Sequence, residues 1–395
     1  MDRREFIKLA LAGAALGPYM RNAAAYETPS GSANGRLIVI FMRGALDGLF
    51  AISPVNDPAL QALRPSLATA VLEKGIRLGQ TGFAAHPSCE KLAGLFTAGE
   101  LAFAPCAGTT DKSRSHFQAQ DLFELGTGAI RGESGFMARA AEVLGGSGTA
   151  ISFTQEIPLS FHGMAMPPEV APLSGSGLKI PPGRLRDAIL RAHHGSRTGD
   201  DLDQAIATET EIESSMGMEA AAARGAAGVN GFPKTAGQMG RMLKANPRLS
   251  LAFMDLGGFD THVAEENTLT NSLENFSEGL VALKESLGPE EWRRTRVVVM
   301  SEFGRTAREN GTHGTDHGHG GLALLAGGNI SGAKMIGDFH GLADNALNDG
   351  RDLPVLVDWR DLLAQAMRAS YGFSDRNLDR VFPARPRASG LLAAG

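Results

Sequence analysis

The chain has 395 residues, of which 43% are hydrophobic and 21% charged, with a formal net charge of −5. That is enough apolar material for one large α/β core or for two smaller domains. The mild negative charge and the lack of any lysine- or arginine-rich run argue against a nucleic-acid partner. No segment after the N-terminus approaches the roughly 20 apolar residues that a membrane-spanning helix needs, so no stable membrane span is expected.

The first 25 residues read as an export signal. Arg3 and Arg4 form an adjacent pair, followed by Phe6 and Lys8, and a short apolar run extends from Leu9 to Leu16. Ala23, Ala24 and Ala25 then supply the small residues of a cleavage site. Charged start, apolar middle and small-residue end make a signal peptide, and the arginine pair makes it the twin-arginine kind. The expectation is a periplasmic or extracellular protein, with the twin-arginine translocase as a partner during export. That route carries folded proteins, often with a metal already bound, which motivates a search for ligands. The two cysteines, Cys89 and Cys106, either pair in an oxidising compartment or stay as buried thiols.

Residues 26–35 are a polar linker, and residues 36–385 are expected to form one domain. Leu37–Met42 is a short apolar run with β-branched members, which reads as a buried strand. A helix is expected over Pro87–Ala98, a strand over Leu101–Ala104, helices over Ser115–Leu125 and Gly135–Leu144, and a strand over Ala150–Phe153. Residues 155–182 are proline-rich and irregular. Helices then follow at Leu185–Ala192, Asp200–Arg224 and Thr235–Leu243, a helical insert over about residues 183–245. Next come a strand at Leu249–Leu256, a long helix at Ala264–Leu287, strands at Arg296–Met300 and Leu322–Ala326, and a helix at Trp359–Tyr371.

Strands alternating with helices predict an α/β fold: a doubly wound, mostly parallel sheet with helices on both faces. Ligands of such sheets bind beyond the carboxyl ends of the strands. The residues there are Arg43 and Asp47 after the first strand, and Ser113, Arg114, Ser115 and His116 after the second. Asp260 and His262 follow the strand ending at Leu256, and Glu302 and Arg305 follow Met300. Asp316, His317 and His319 come just before the strand at Leu322. One Asp-x-His alone reads as solvated loop. Its recurrence at successive strand ends points to carboxylates and imidazoles converging on a divalent cation. The candidate ligands are Asp47, Asp260, His262, Glu302, Asp316, His317 and His319. Zinc suits this donor set best, and manganese, magnesium and calcium are also compatible. Asp47 is equally readable as a turn or cap residue, and Glu302 with Arg305 as a loop ion pair. Ser113 or Ser115 either caps a helix or acts as a nucleophile, with His116 beside them. Arg43, Arg114 and Arg305 are candidates to steady the charge of a transferring group.

The segments LIVIFMRGALDGL, DKSRSHFQAQ, GGFDTH, SEFGRT, GTDHGHGG and LLAGGNISG together resemble the bacterial DUF1501 family, over about Leu37 to Tyr371. That family is similar to the alkaline phosphatase and sulfatase superfamily. The resemblance implies a sheet with metal ligands at successive strand ends, in a set order. Asp47 matches the superfamily's early aspartate, Ser115 or Ser113 its nucleophile, and Asp260 with His262 its first Asp-plus-His pair. Glu302 falls where an Asp-His pair is usual, and the Asp316 to His319 cluster falls near the late histidine. The chain departs from the pattern in two ways. One residue separates Asp260 from His262 where three are usual, and Glu302-Phe303 replaces the Asp-His pair, leaving Asp316 and His317 to supply the missing ligand. Neither cysteine heads a Cys-x-Pro-x-Arg signature, which disfavours a formylglycine sulfatase. The implied activity is metal-dependent hydrolysis of a phosphate or sulfate ester, on a small molecule or a polysaccharide. The alternatives are a catalytically degenerate binding or assembly protein of the cell envelope, and a metal-independent serine hydrolase, for which no G-x-S-x-G elbow is present.

Overall fold

The computed structural model describes residues 35–109, 111–146, 149–165, 167–171 and 228–386. The export signal, nearly all of the linker, and the helices expected at 185–192 and 200–224 lie outside the described residues.

In chain order the strands are β1 (Arg36–Met42), β2 (Ile52–Ser53), β3 (Ile76–Arg77), β4 (Ala84–Ala85), β5 (Leu101–Gly108) and β6 (Ala150–Ser152). They continue with β7 (Glu169–Val170), β8 (Leu251–Leu256), β9 (Thr295–Ser301), β10 (Gly321–Gly327) and β11 (Val357–Asp358). The main sheet has the order β11-β5-β10-β9-β1-β8-β6-β7, and β2, β4 and β3 form a small antiparallel sheet beside it. In the main sheet β1 is parallel to both β8 and β9, while β10 is antiparallel to both β9 and β5.

Every residue of β1 is buried, as expected of a strand central to a sheet covered on both faces. Its side chains alternate between two cores. Ile38, Ile40 and Met42 belong to one, and Leu37, Val39 and Phe41 to the other. On the first face pack helices α1 (Glu90–Thr97), α4 (Phe232–Ala245) and α5 (Glu265–Arg294). On the second pack α2 (His116–Leu125), α3 (Phe136–Val143), α6 (Trp359–Tyr371) and α7 (Asp375–Val381). The sheet is thus α/β and helix-covered on both faces, as the alternating pattern predicts.

Two details refine that pattern. The long helix α5 has non-helical geometry at Gly288 (φ 77°, ψ 169°), directly before Pro289. The proline forbids a regular helical turn there, so the helix expected to stop at Leu287 breaks and then resumes briefly to Arg294. The strands β2, β3, β4, β7 and β11 were not anticipated, because two residues are too few to show a period.

The reversal of β10 places the site. Strands β1, β5, β8 and β9 end at one edge of the sheet, and β10 begins there. A cluster that precedes its strand, as Asp316 to His319 does, reaches the same edge as clusters that follow theirs only if its strand runs the opposite way. Cys89 and Cys106 are both buried free thiols, and burial pushes each up to about 12. No helix among the described residues is long and apolar enough to cross a membrane.

Candidate metal centre

Four segments meet beyond the sheet edge, and two glycines let them approach. Gly44, at φ 114°, lies so near the Asp260 backbone that a Cβ there would stand 2.5 Å from its nitrogen. A Cβ on Gly314 would stand 2.3 Å from the carbonyl oxygen of His262. Neither position has room for a side chain.

His116 opens α2, and its Nδ1 lies 2.7 Å from Oε1 of Glu302, while its Nε2 lies 3.0 Å from Nε2 of His317. His317 directs Nδ1 to the carbonyl oxygen of Arg114 at 3.1 Å. His262 places its Nε2 3.1 Å from Nε2 of His317 and 2.9 Å from Oδ1 of Asp260. Asp260 also lies 3.5 Å from His317 and 3.7 Å from His116. His116, Asp260 and His317 alone offer three ligand atoms within 4.8 Å of one another.

The hydrogen bonds assign the tautomers. A carbonyl oxygen only accepts, so Nδ1 of His317 carries the proton and its Nε2 presents a lone pair. Glu302 is fully buried and accepts from His116, Gln120 (3.0 Å) and the Gly44 N–H (3.0 Å), and its other oxygen accepts from Ser301. Burial opposes its charge, but these donors outweigh burial and hold its pKa at about 2. It is therefore an ionised acceptor, and Nδ1 of His116 donates to it. Nε2 of His116 then also faces the centre as a lone pair. Two bare lone pairs 3.0 Å apart repel, and only a positive centre between them, a proton or a metal cation, relieves that.

The pKa values follow the same geometry. The bond to Glu302 raises that of His116. Burial lowers that of His317, helped by the charges of His116 and Arg305, which favours the neutral, ligating form. Burial works against the charge of Asp260, but the Arg305 guanidinium holds its carboxyl below the usual range.

The other residues singled out in the sequence are placed as follows. Asp47 is not brought to the cluster. It is 1% exposed, caps the short helix Gly48–Ala51 through the N–H groups of Leu49 and Phe50, and pairs with Arg64 at 2.5 Å. Glu302 stands behind His116 rather than facing the centre: its Oε1 accepts from three donors and its Oε2 from Ser301. Asp316 lies 3.6 Å from Nδ1 of His262, on the side away from the centre, and is more than half exposed. His319 sits apart, with Nδ1 3.0 Å from Asp352. Arg305 has a fully buried side chain bonded to the carbonyls of Ala45, Gly44, Phe259 and Thr315, besides Asp260. It holds loops together and has no free face for a ligand. Arg43 is likewise committed, to Asp255, Glu124 and Gln120.

Arg114 differs. Its backbone has φ 55°, unusual for a residue with a side chain, and this turn aims its carbonyl at His317. Its Nη2 bonds Asp352 at 2.9 Å, and the side chain is 30% exposed. Ser115 occupies the N-cap position of α2, yet its side chain makes no capping bond. Ser113 bonds Asp111 at 2.6 Å and is exposed. Sequence reasoning missed Asp352, a fully buried carboxylate that accepts from Arg114, Arg351, His319 and Asn348. It belongs to no recognisable motif, so no signal marked it.

Among solved structures, a protein of the alkaline phosphatase superfamily from Vibrio parahaemolyticus is similar over 76% of this chain, with 11% identity and a TM-score of 0.36. The chain spans only 62% of that relative's length. The alkaline phosphatase of the Antarctic bacterium TAB5 is similar over 75% of this chain and 92% of its own, with 10% identity and a TM-score of 0.33. Ps i-CgsB, solved in complex with k-i-k-neocarrahexaose, is similar over 89% of this chain and 76% of its own, with 12% identity and a TM-score of 0.39. No curated protein matches the sequence. The model of the DUF1501 family, described as a protein of unknown function, matches residues 185–382, half of the chain, which carry Asp260, His262, Glu302 and His317, and the chain belongs to that family.

Proposed function

We propose that this protein is an exported, metal-dependent hydrolase of phosphate or sulfate esters, and that His116, His262, His317 and Asp260 hold its divalent cation. The observation that carries this reading is the convergence of three imidazole Nε2 atoms, at 3.0 and 3.1 Å, beside one carboxylate. In two of the three rings the other nitrogen is engaged by Glu302 or by a backbone carbonyl, the outer contacts that orient metal-binding histidines. Three nitrogens and an oxygen suit zinc first. When bound, such a cation polarises an ester oxygen and lowers the pKa of water or of a hydroxyl.

The chain's own groups do the rest. Arg114, anchored by Asp352 and partly exposed, receives the oxygens of the anionic group. The side chain of Ser115, which forms no capping bond, sits one residue from His116 and is the candidate nucleophile, with water as the other. In either case water is consumed overall. The bond between phosphorus or sulfur and the ester oxygen breaks, and the alcohol leaves with a proton. The substrate is a small-molecule or polysaccharide ester, met in the periplasm or outside the cell after twin-arginine export.

Metal analysis of protein purified without chelator tests the reading, followed by a panel of phosphate and sulfate esters. The expected result is bound metal at about one ion per chain, ester hydrolysis that chelator abolishes, and loss of both in Asp260→Ala and His317→Ala. Protein that neither carries nor takes up metal, or activity that survives both changes, overturns it.

A further inference from the structure

The two large apolar side chains left most open to water among the described residues are Phe117, 84% exposed, and Val263, 64% exposed. The other exposed large apolar residues lie between 37% and 47%. Phe117 directly follows His116, and Val263 directly follows His262. Scattered exposed apolar residues are ordinary on protein surfaces and need no explanation. Here the two extremes of exposure each adjoin a histidine of one cluster, and those histidines meet at a single atom, Nε2 of His317.

Neither side chain serves the core. The buried face of α2 is formed by Ala119, Leu122, Phe123 and Leu125, and Phe117 lies off it. Val263 precedes Ala264, whose φ is 47°, in the turn that leads into α5. A polar residue at either place would fold as well and would be better hydrated. Consecutive Cα atoms are about 3.8 Å apart. The backbone that carries each apolar side chain therefore lies one residue step from a histidine of the cluster, beside the place where the organic group of a bound ester would emerge.

We infer that Phe117 and Val263 determine specificity: they receive an apolar, aryl-type organic group of the substrate. This inference rests on the ester-hydrolase reading above and names the class of ester. It favours an aryl ester over a sugar ester, whose hydroxyls need hydrogen-bonding partners that Phe117 and Val263 lack.

The test is calorimetric binding to the zinc-loaded full chain, with phenylphosphonate, methylphosphonate and glucose 6-phosphate as probes. Phenylphosphonate is expected to bind about 10-fold tighter than methylphosphonate, the gain typical of a small apolar contact, and tighter than glucose 6-phosphate. The Phe117→Ser, Val263→Ser double variant is expected to bring the two phosphonates within about 3-fold, with methylphosphonate unaffected. Both positions are exposed, so its thermal midpoint should match that of the parent chain. Equal binding of the two phosphonates, or a preference for glucose 6-phosphate, overturns this inference and leaves the hydrolase reading standing. A double variant with a lowered midpoint and an unchanged phosphonate ratio assigns the side chains to folding and overturns it too. Failure of all three probes to bind overturns the hydrolase reading for phosphate esters, and this inference with it.

Discussion

Asp47 and Asp260 both follow a central strand at the same edge of the sheet, yet the fold treats them differently. Asp47 is buried, its oxygens consumed by two helix N–H groups and by Arg64. Asp260 has a half-exposed side chain and is shared among Arg305 and three histidines. The position after a strand brings a carboxylate to the edge. Whether it can hold a ligand depends on whether the fold has already spent its charge.

The largest expected effect follows from that contrast. Arg64→Ala leaves Asp47 buried without its cation, which should cost about 3–5 kcal/mol of folding stability. Asp260→Ala removes a partly exposed group and leaves Arg305 its four carbonyl partners. Because Arg305 is fully buried, losing its charged partner should still cost about 1–3 kcal/mol of stability, less than Arg64→Ala, while weakening metal binding by about 100-fold or more. Urea unfolding of the metal-free proteins, paired with zinc titration, measures both. If Asp260→Ala destabilises the fold as much as Arg64→Ala, the two aspartates play the same structural part.

Glu302 lies between these extremes. It is as buried as Asp47, but it spends its charge on a cluster residue, orienting His116. Glu302→Gln keeps the shape and removes the charge that fixes the tautomer, so His116 is free to turn its protonated nitrogen inward. Zinc affinity should fall by about 10- to 100-fold, the usual cost of losing such an outer contact. An unchanged affinity would show that His116 is held by something other than Glu302.

Most of this architecture was legible in the sequence. Runs such as Val297 to Val299 and the periodic apolar face of α5 announced a helix-covered sheet, and successive strand ends pointed to Asp260, His262 and His317. Pattern alone could not divide the charged residues into those the fold neutralises and those it leaves available. Asp47 needed Arg64, and Arg305 needed four carbonyl oxygens, three of them from two other loops, partners fixed only by the tertiary fold. His116 was read as a companion of the serines, because its place in the cluster depends on β5 lying next to β10 in the sheet. Asp352 joins Arg114, His319, Asn348 and Arg351 from a loop with no marker of its own.

The same contrast recurs between two histidines, His116 and His86, and gives the smallest effect. His116 has a carboxylate to support its charge, which raises its pKa. His86 has none: it is 3% exposed and stacks on Phe50 at 4.4 Å. Its Nδ1 accepts from the Ser88 N–H, and its Nε2 has no partner among the described residues. Burial pushes it down to about 4 from the ordinary 6.5. The folded protein therefore keeps His86 neutral, while the unfolded chain takes up a proton below pH 6.5. The stabilisation is complete above pH 6.5 and is lost as the pH falls from 6.5 toward 4. One pH unit into that window, at pH 5.5, the loss should be on the order of 1 kcal/mol. Urea midpoints between pH 7 and 5 for the parent chain and for His86→Asn, which keeps an acceptor for Ser88, measure it. The variant should lose less stability on acidification than the parent. Parallel curves would mean that the fold leaves the pKa of His86 at its unfolded value, and a parent that loses less than the variant would mean that a neighbour supports its charge as Glu302 supports that of His116.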